Sequence, residues 1–217
     1  VGVVYCPGET CSQACLVLGR EVCSELGIEL LEAQVETSSG VLEAAQSLVA
    51  RNVEALWVGG DNIVEMSVPS VANAARQGHI PVFANAPHHA QSGALIGLGA
   101  DYYEVGKLTG DMAVDVLEGA DTESIRIENR VPQKLAVNLD AFAGLREEWA
   151  IPEDVMKTAA VVIKNQAVQS ETPAAKASAS PGKKYRIGIV YFGPDRATER
   201  GLEGFLDGLE ELGYVRG

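Results

Sequence analysis

Short apolar runs and helical stripes alternate along this chain. Val1–Tyr5 is a continuous apolar run, as expected of a strand buried on both faces. Cys6-Pro7-Gly8-Glu9-Thr10 reads as a loop, with Thr10 or Ser12 placed to cap a helix that runs to about Leu26 and stops at Gly27. Ile28–Val35 is a second strand, and Thr37-Ser38-Ser39 opens a helix carrying Val41, Leu42, Ala45, Leu48 and Val49 at helical spacing. Ala55–Val58 is a third strand, ending in Gly59-Gly60-Asp61-Asn62, and a helix near Val68–Gln77 follows. Pro81–Ala84 is a fourth, ending in Asn85-Ala86-Pro87-His88-His89. Leu95–Leu98 is a fifth, ending in Gly99-Ala100-Asp101-Tyr102-Tyr103, and a helix near Val105–Leu117 closes the series.

Helices between apolar strands imply parallel crossovers and a sheet covered on both faces. The expected fold is α/β, a doubly wound parallel sheet of about five strands within residues 1–120, with a partial second α/β unit later in the chain. Lys134–Leu139 reads as a further strand, and Pro152 suits the first turn of a helix. From Asn165 to Lys184 the chain is Gln, Ser, Thr, Ala, Pro and Lys with almost no large apolar residue, which predicts a flexible linker. Beyond it the opening pattern returns. Gly2-Val3-Val4-Tyr5 and Glu25-Leu26-Gly27-Ile28 are matched by Gly188-Ile189-Val190-Tyr191 and Glu211-Leu212-Gly213-Tyr214, and the same offset lays Leu16 on Leu202. These boundaries divide the chain into a ligand-binding lobe (1–132), a return segment (133–164), a linker (165–184) and the first βα unit of a further lobe (185–217). The return segment and the last unit each lack a sheet of their own and are expected to pair, with a second copy supplying the rest in a homo-oligomer.

Composition narrows the function. The 217 residues are 47% hydrophobic, enough for a core, and the net charge of −13 argues against nucleic acid, which needs clustered Lys and Arg. No apolar run is long enough to span a membrane as a helix. The chain opens inside a strand and closes just after a helix, so both ends read as cut, leaving room upstream for a signal peptide or lipid anchor. Cys6, Cys11, Cys15 and Cys23 match no metal-binding spacing and read as small buried thiols. An oxidising compartment would allow a Cys6–Cys11 disulfide, which the sequence leaves open.

The strand-end loops carry the candidate chemistry. Glu9, Cys11 and Ser12 follow the first strand, Asp61 and Asn62 the third, Asn85 the fourth and Tyr102 the fifth. In a doubly wound sheet all of these gather at one edge, outside the carboxyl ends of the strands. Carboxylate acceptors beside amide donors and helix N-termini suit a small zwitterion. Catalytic patterns are missing: Gly97-Leu98-Gly99 begins like a dinucleotide fingerprint but meets Tyr102 where a third glycine belongs, and no Walker loop or nucleophile elbow is present. His88-His89 reads as a solvated loop pair. No enzyme activity, cofactor or metal is expected.

Several segments resemble the ABC-transporter substrate-binding family that includes tryptophan- and tyrosine-type solute-binding proteins. They are Val3-Val4-Tyr5-Cys6-Pro7-Gly8-Glu9, Gly60-Asp61-Asn62, Ile80–Ala84, Gly99-Ala100-Asp101-Tyr102-Tyr103-Glu104-Val105-Gly106, and Lys134–Leu139 followed by Ile151-Pro152. The resemblance implies a type I periplasmic-binding fold, in which two lobes clamp a ligand without catalysis. It implies an extracytoplasmic importer module, a small amino-acid-like ligand and an ABC permease as partner. The family usually has Asn where Cys6 and Cys11 stand and a polar loop in place of Ala86-Pro87-His88. The order, a second lobe ahead of the opening of a first, implies a fragment of a tandem array, with circular permutation as the alternative. A ligand-sensing module of a signalling receptor is the rival function.

Overall fold

The structure, a computed structural model, describes residues 1–127, 131–146, 148–168, 185–190 and 196–214. The chain forms two compact units, Val1–Gly99 with Lys134–Glu171 and Ala100–Gln133 with Thr172–Gly217. This division differs from the boundaries drawn on the sequence. The helix after the fifth strand leaves the first unit, and residues 133–164, expected to return elsewhere, supply that unit with strands.

The first unit contains β1 (Gly2–Tyr5), α1 (Thr10–Glu25), β2 (Leu31–Gln34), α2 (Val41–Ala50), β3 (Leu56–Val58), α3 (Asn62–Glu65), α4 (Val68–Gln77), β4 (Val82–Ala84) and β5 (Ile96–Ala100). After α5 (Tyr102–Leu117), which belongs to the second unit, the chain comes back as β6 (Gln133–Asn138), α6 (Glu153–Thr158), β7 (Val161–Lys164) and β8 (Ala167–Val168). The sheet order is β2-β1-β3-β4-β5-β6-β7-β8. β1 pairs in parallel with both β2 and β3, and parallel pairing continues through β4 to β5. The chain moves one way from β1 to β2, then reverses across β1 to β3, so a crevice opens between the carboxyl ends of β1 and β3.

Side-chain alternation along the strands explains the two covered faces. Val4, Leu56, Val58, Val82 and Ala84 join Val41, Ala45 and Leu48 of α2 and Val68, Val71 and Ala75 of α4 in the main core. Val3, Tyr5 and Trp57 point to the opposite face and pack with Leu16 of α1. Gly19 lets α1 lie close to that face, since a Cβ there would come within 2.5 Å of the Trp57 ring. At the far end of the sheet Ala136, Val161 and Ile163 pack with Ala90.

The first four residues of the expected linker are structured. Asn165 and Gln166 form a two-residue turn, both at positive φ, between the antiparallel β7 and β8. Both turn N–H groups donate to Asp140, which lies below the usual carboxylate range because of those bonds. Residues 169–184 lie outside the described part.

In the second unit α5 packs against α7 (Arg196–Glu211). Contacts advance together along both helices, from Gly106 at Gly201 to Gly110 at Phe205 and Leu209, so the helices run parallel. Gly106, Gly110, Gly204 and Gly208 bring the two backbones together; a Cβ at Gly106 or Gly204 would collide with a carbonyl of the facing helix. Tyr103 donates to Asp207 at 2.8 Å, Lys107 pairs with Glu211 at 2.8 Å, and the Arg200 guanidinium stands over the Tyr103 ring. The expected pairing of the return segment with the last βα unit is not what forms. β6 sits between β5 and β7, and Ile187-Gly188-Ile189-Val190 is exposed and in no strand. A four-residue apolar run becomes a strand only with neighbours to bond it, and the described residues offer it none.

Candidate ligand site at the strand ends

The loops at the crevice between β1 and β3 tie together six of the seven predicted residues. Asp61 caps α3, with Oδ1 accepting from Val64 N–H at 2.9 Å. Its Oδ2 accepts from the Cys6 N–H at 2.6 Å and from the Ser12 hydroxyl at 2.5 Å. Ser12 is therefore no helix cap. It stands third in α1, turned onto Asp61, and Glu9, the residue just before α1, makes no side-chain cap bond. Thr10 does not cap either.

Glu9 approaches from the other side of the same loops. Its Oε2 accepts from the Asn62 backbone N–H at 2.9 Å and from the Asn62 amide at 3.0 Å. The Cys11 thiol also reaches Oε2, at 3.6 Å, and burial and then Glu9 itself push that thiol above its usual range. All four cysteines are free.

Asn85, at the end of β4, ties in the third loop. With its amide oriented to satisfy both partners, it donates to the Gly59 carbonyl at 3.3 Å and accepts from the Gly60 N–H at 2.8 Å. Tyr102 starts α5 in the second unit, so the first unit does not bring it to the other six.

The sequence reading missed three contributors. The Cys6 amide is a backbone group that no side-chain pattern reveals. Gln34 donates to the Tyr5 hydroxyl at 2.7 Å, joining the carboxyl ends of β2 and β1. His89, expected to be solvated, is 2% exposed, and its Nε2 lies 3.8 Å from Glu65 at the end of α3. Pro87 opening a 3-10 turn over Pro87–Ser92 was the one signal that this loop folds inward.

Beneath α1 the first unit has a small, partly open hollow of about 10 Å³ lined by Tyr5, Ser12, Cys15, Trp57, Gly60 and Asp61. That is room for about one water. Among the described residues no helix is long and apolar enough to cross a membrane, and no cluster suited to a metal ion occurs.

Known proteins share this sequence pattern and fold. Residues 1–163 match the family described as ABC transporter substrate binding protein. A curated relative, the tyrosine-binding protein of Clostridioides difficile (strain R20291), is 30% identical over 145 residues, covering 67% of this chain and 42% of its own length. The crystal structure of a conserved domain protein from Vibrio cholerae is 31% identical with a TM-score of 0.65, covering 75% of this chain and 54% of that one. An ABC domain from Streptococcus pneumonia, solved with L-Trp, is 24% identical with a TM-score of 0.64 over the same shares, which speaks for the fold. The chain thus spans about half the length of these relatives. With the α/β fold shared and the family match covering three quarters of the residues, this chain belongs to the ABC transporter substrate-binding protein family.

Proposed function

We propose that this chain supplies one lobe of a solute-binding protein serving an ABC importer outside the cytoplasm, and that its ligand is a small amino acid with an apolar or aromatic side chain. The observation that carries the reading is the gathering of Glu9, Ser12, Asp61, Asn62 and Asn85 around the β1–β3 crevice in a member of this family. The relative named for tyrosine binding supports the ligand class. The first turn of α1 carries no acidic side chain and no side-chain cap, so its N–H groups suit a ligand carboxylate. Glu9 suits the ammonium, and the open crevice suits closure by a second lobe. The permease is the partner that receives the solute.

Isothermal titration of the full-length protein against the amino acids tests this. The expected result is saturable heat with one amino acid or a few of related side chain. Absence of heat with all of them would remove the ligand class.

A further inference from the structure

The two carboxylates of the crevice are not equivalent. Asp61 is 3% exposed, and both its oxygens are engaged: Oδ1 by Val64 N–H, Oδ2 by Cys6 N–H and the Ser12 hydroxyl. Those three donors come from α3, from the loop after β1, and from α1. Asp61 is a clasp that fixes the distance between the loops. A buried carboxylate with this set of donors gains nothing by turning toward a ligand, since it would leave buried N–H groups unpaired.

Glu9 is built the opposite way. It is half-buried at the rim, and Oε2 alone takes the Asn62 backbone N–H, the Asn62 amide and the Cys11 thiol. Among the described residues no hydrogen bond is made to Oε1 and no ion pair reaches Glu9. Three donors on one oxygen fix the plane of the carboxylate. The other oxygen, held in that plane, remains an acceptor without a hydrogen bond among the described residues. We propose that Glu9, held by Asn62, is the residue that selects for a cationic nitrogen on the ligand, while Asp61 and Ser12 are positioning residues with no ligand contact. This rests on the solute-binding reading above and assigns one job within it.

The test uses the full-length protein, with L-tyrosine and L-tryptophan as probes beside their analogues lacking the amino group, 3-(4-hydroxyphenyl)propanoate and indole-3-propanoate. Glu9→Gln keeps an oxygen that Asn62 can bond and removes only the charge. It is expected to weaken the better-bound amino acid by roughly 10- to 100-fold, the loss of one charge-assisted bond. Binding of its analogue should stay within about twofold, so the preference for the amine collapses, and Tm should hold. Asp61→Asn is expected to lower Tm by about 5 °C or more and to weaken amino acid and analogue alike, leaving their ratio intact. A wild type that prefers the amino acid and a Glu9→Gln protein that keeps that preference would overturn this inference alone. An Asp61→Asn protein with unchanged Tm and a collapsed ratio would overturn it as well. A wild type that binds neither these two nor any other amino acid removes this inference together with the ligand class beneath it.

Discussion

α1 and α7, the helices of the first and last βα units, stop in the same way. Gly27 at φ 67° and Gly213 at φ 94° take the left-handed conformation just past each helix. Ile28 N–H then donates to the Cys23 carbonyl at 2.8 Å, and Tyr214 N–H to the Leu209 carbonyl at 2.8 Å. The repeat offset carries one bond onto the other. What precedes the helices differs. Gly2–Tyr5 is a buried strand between β2 and β3, whereas Ile187–Val190 is exposed backbone. What the helices pack on differs too. α1 sets Ser12, Leu16 and Gly19 on the sheet and leaves Leu18 61% exposed, while α7 presents Gly204, the counterpart of Leu18, to α5. Helix and stop are local and repeat with the pattern. Strand and partner depend on neighbours and on the few positions where the units diverge.

If glycines select the partner, the largest effect should follow from making α7 resemble α1. Gly204→Leu would drive a side chain into the Tyr103 carbonyl, which is backbone and cannot rotate away. We expect a cost of about 3 kcal/mol or more to the second unit, at the upper end for overpacking. Hydrogen exchange should speed up throughout α5 and α7 and stay unchanged in α2 and α4. The converse change, Leu18→Gly, should cost only about 1 kcal/mol, the helix propensity of an exposed site. Unaltered exchange in α5 of the Gly204→Leu protein would show that the polar pairs, not the glycines, hold the helices.

A smaller effect is expected where α1 meets the sheet. Gly19→Ala brings a Cβ against the Trp57 ring, a side chain that can shift. Helix propensity gains about 1 kcal/mol and overpacking costs about 1–3 kcal/mol, so the net is a loss of about 1 kcal/mol. In a Trp149→Phe background the emission of Trp57 should move to longer wavelength as the ring is displaced. An unmoved spectrum with raised stability would mean that α1 stands off the sheet farther than its contacts indicate.

The third effect belongs to α5 and α7 alone. Burial, then the hydrogen bond to Asp207, pushes the Tyr103 hydroxyl up to about 12. A raised value in the folded state means that stability is fully present below the ordinary tyrosine value of about 10 and is lost as pH rises through the folded value. The tyrosinate absorbance should therefore show one late-titrating residue, missing in Tyr103→Phe. Exchange in α5 and α7 should rise between those two pH values while the first unit holds. Because the ring lies near solvent, the energy at stake is under about 1 kcal/mol after screening.

The same contrast explains what could be read in advance. The βαβα alternation, the parallel order of the first five strands and the edge that carries Glu9, Ser12, Asp61 and Asn62 all follow from periodicity and from loops at strand ends. The passage of α5 out of the first unit was not legible. Its apolar spacing fits any sheet, and Gly106 and Gly110 acquire meaning only against the glycines of α7, about a hundred positions away. A hydroxyl near a helix start, as at Thr10 or Ser12, is a local signal for a cap, but Asp61 competes for Ser12 from 49 residues away. His89 was assigned to solvent for the same reason: adjacent polar residues in a loop do not announce that the loop turns inward.

The smallest effect separates the two units by pH. On α1, Arg20 pairs with Glu32 of β2 at 2.7 Å and holds that carboxyl below its usual range. A lowered value means stability that is present above the ordinary carboxylate value and lost as pH falls through the folded one. On α5, Glu211 holds Lys107 above its usual range, so that contribution is present below the ordinary lysine value and lost as pH rises. One pair weakens in acid and the other in alkali. Arg20→Met should return the Glu32 carboxyl carbon shift to an ordinary titration and flatten the acid limb of the first unit's stability, through a small loss at neutral pH that shrinks in high salt and disappears in acid. Glu211→Gln should leave that acid limb untouched and flatten the alkaline limb of exchange in α5. If either variant moved both limbs, the two units would be folding as one cooperative body, and the contrast between α1 and α7 would have to be drawn between faces of one domain.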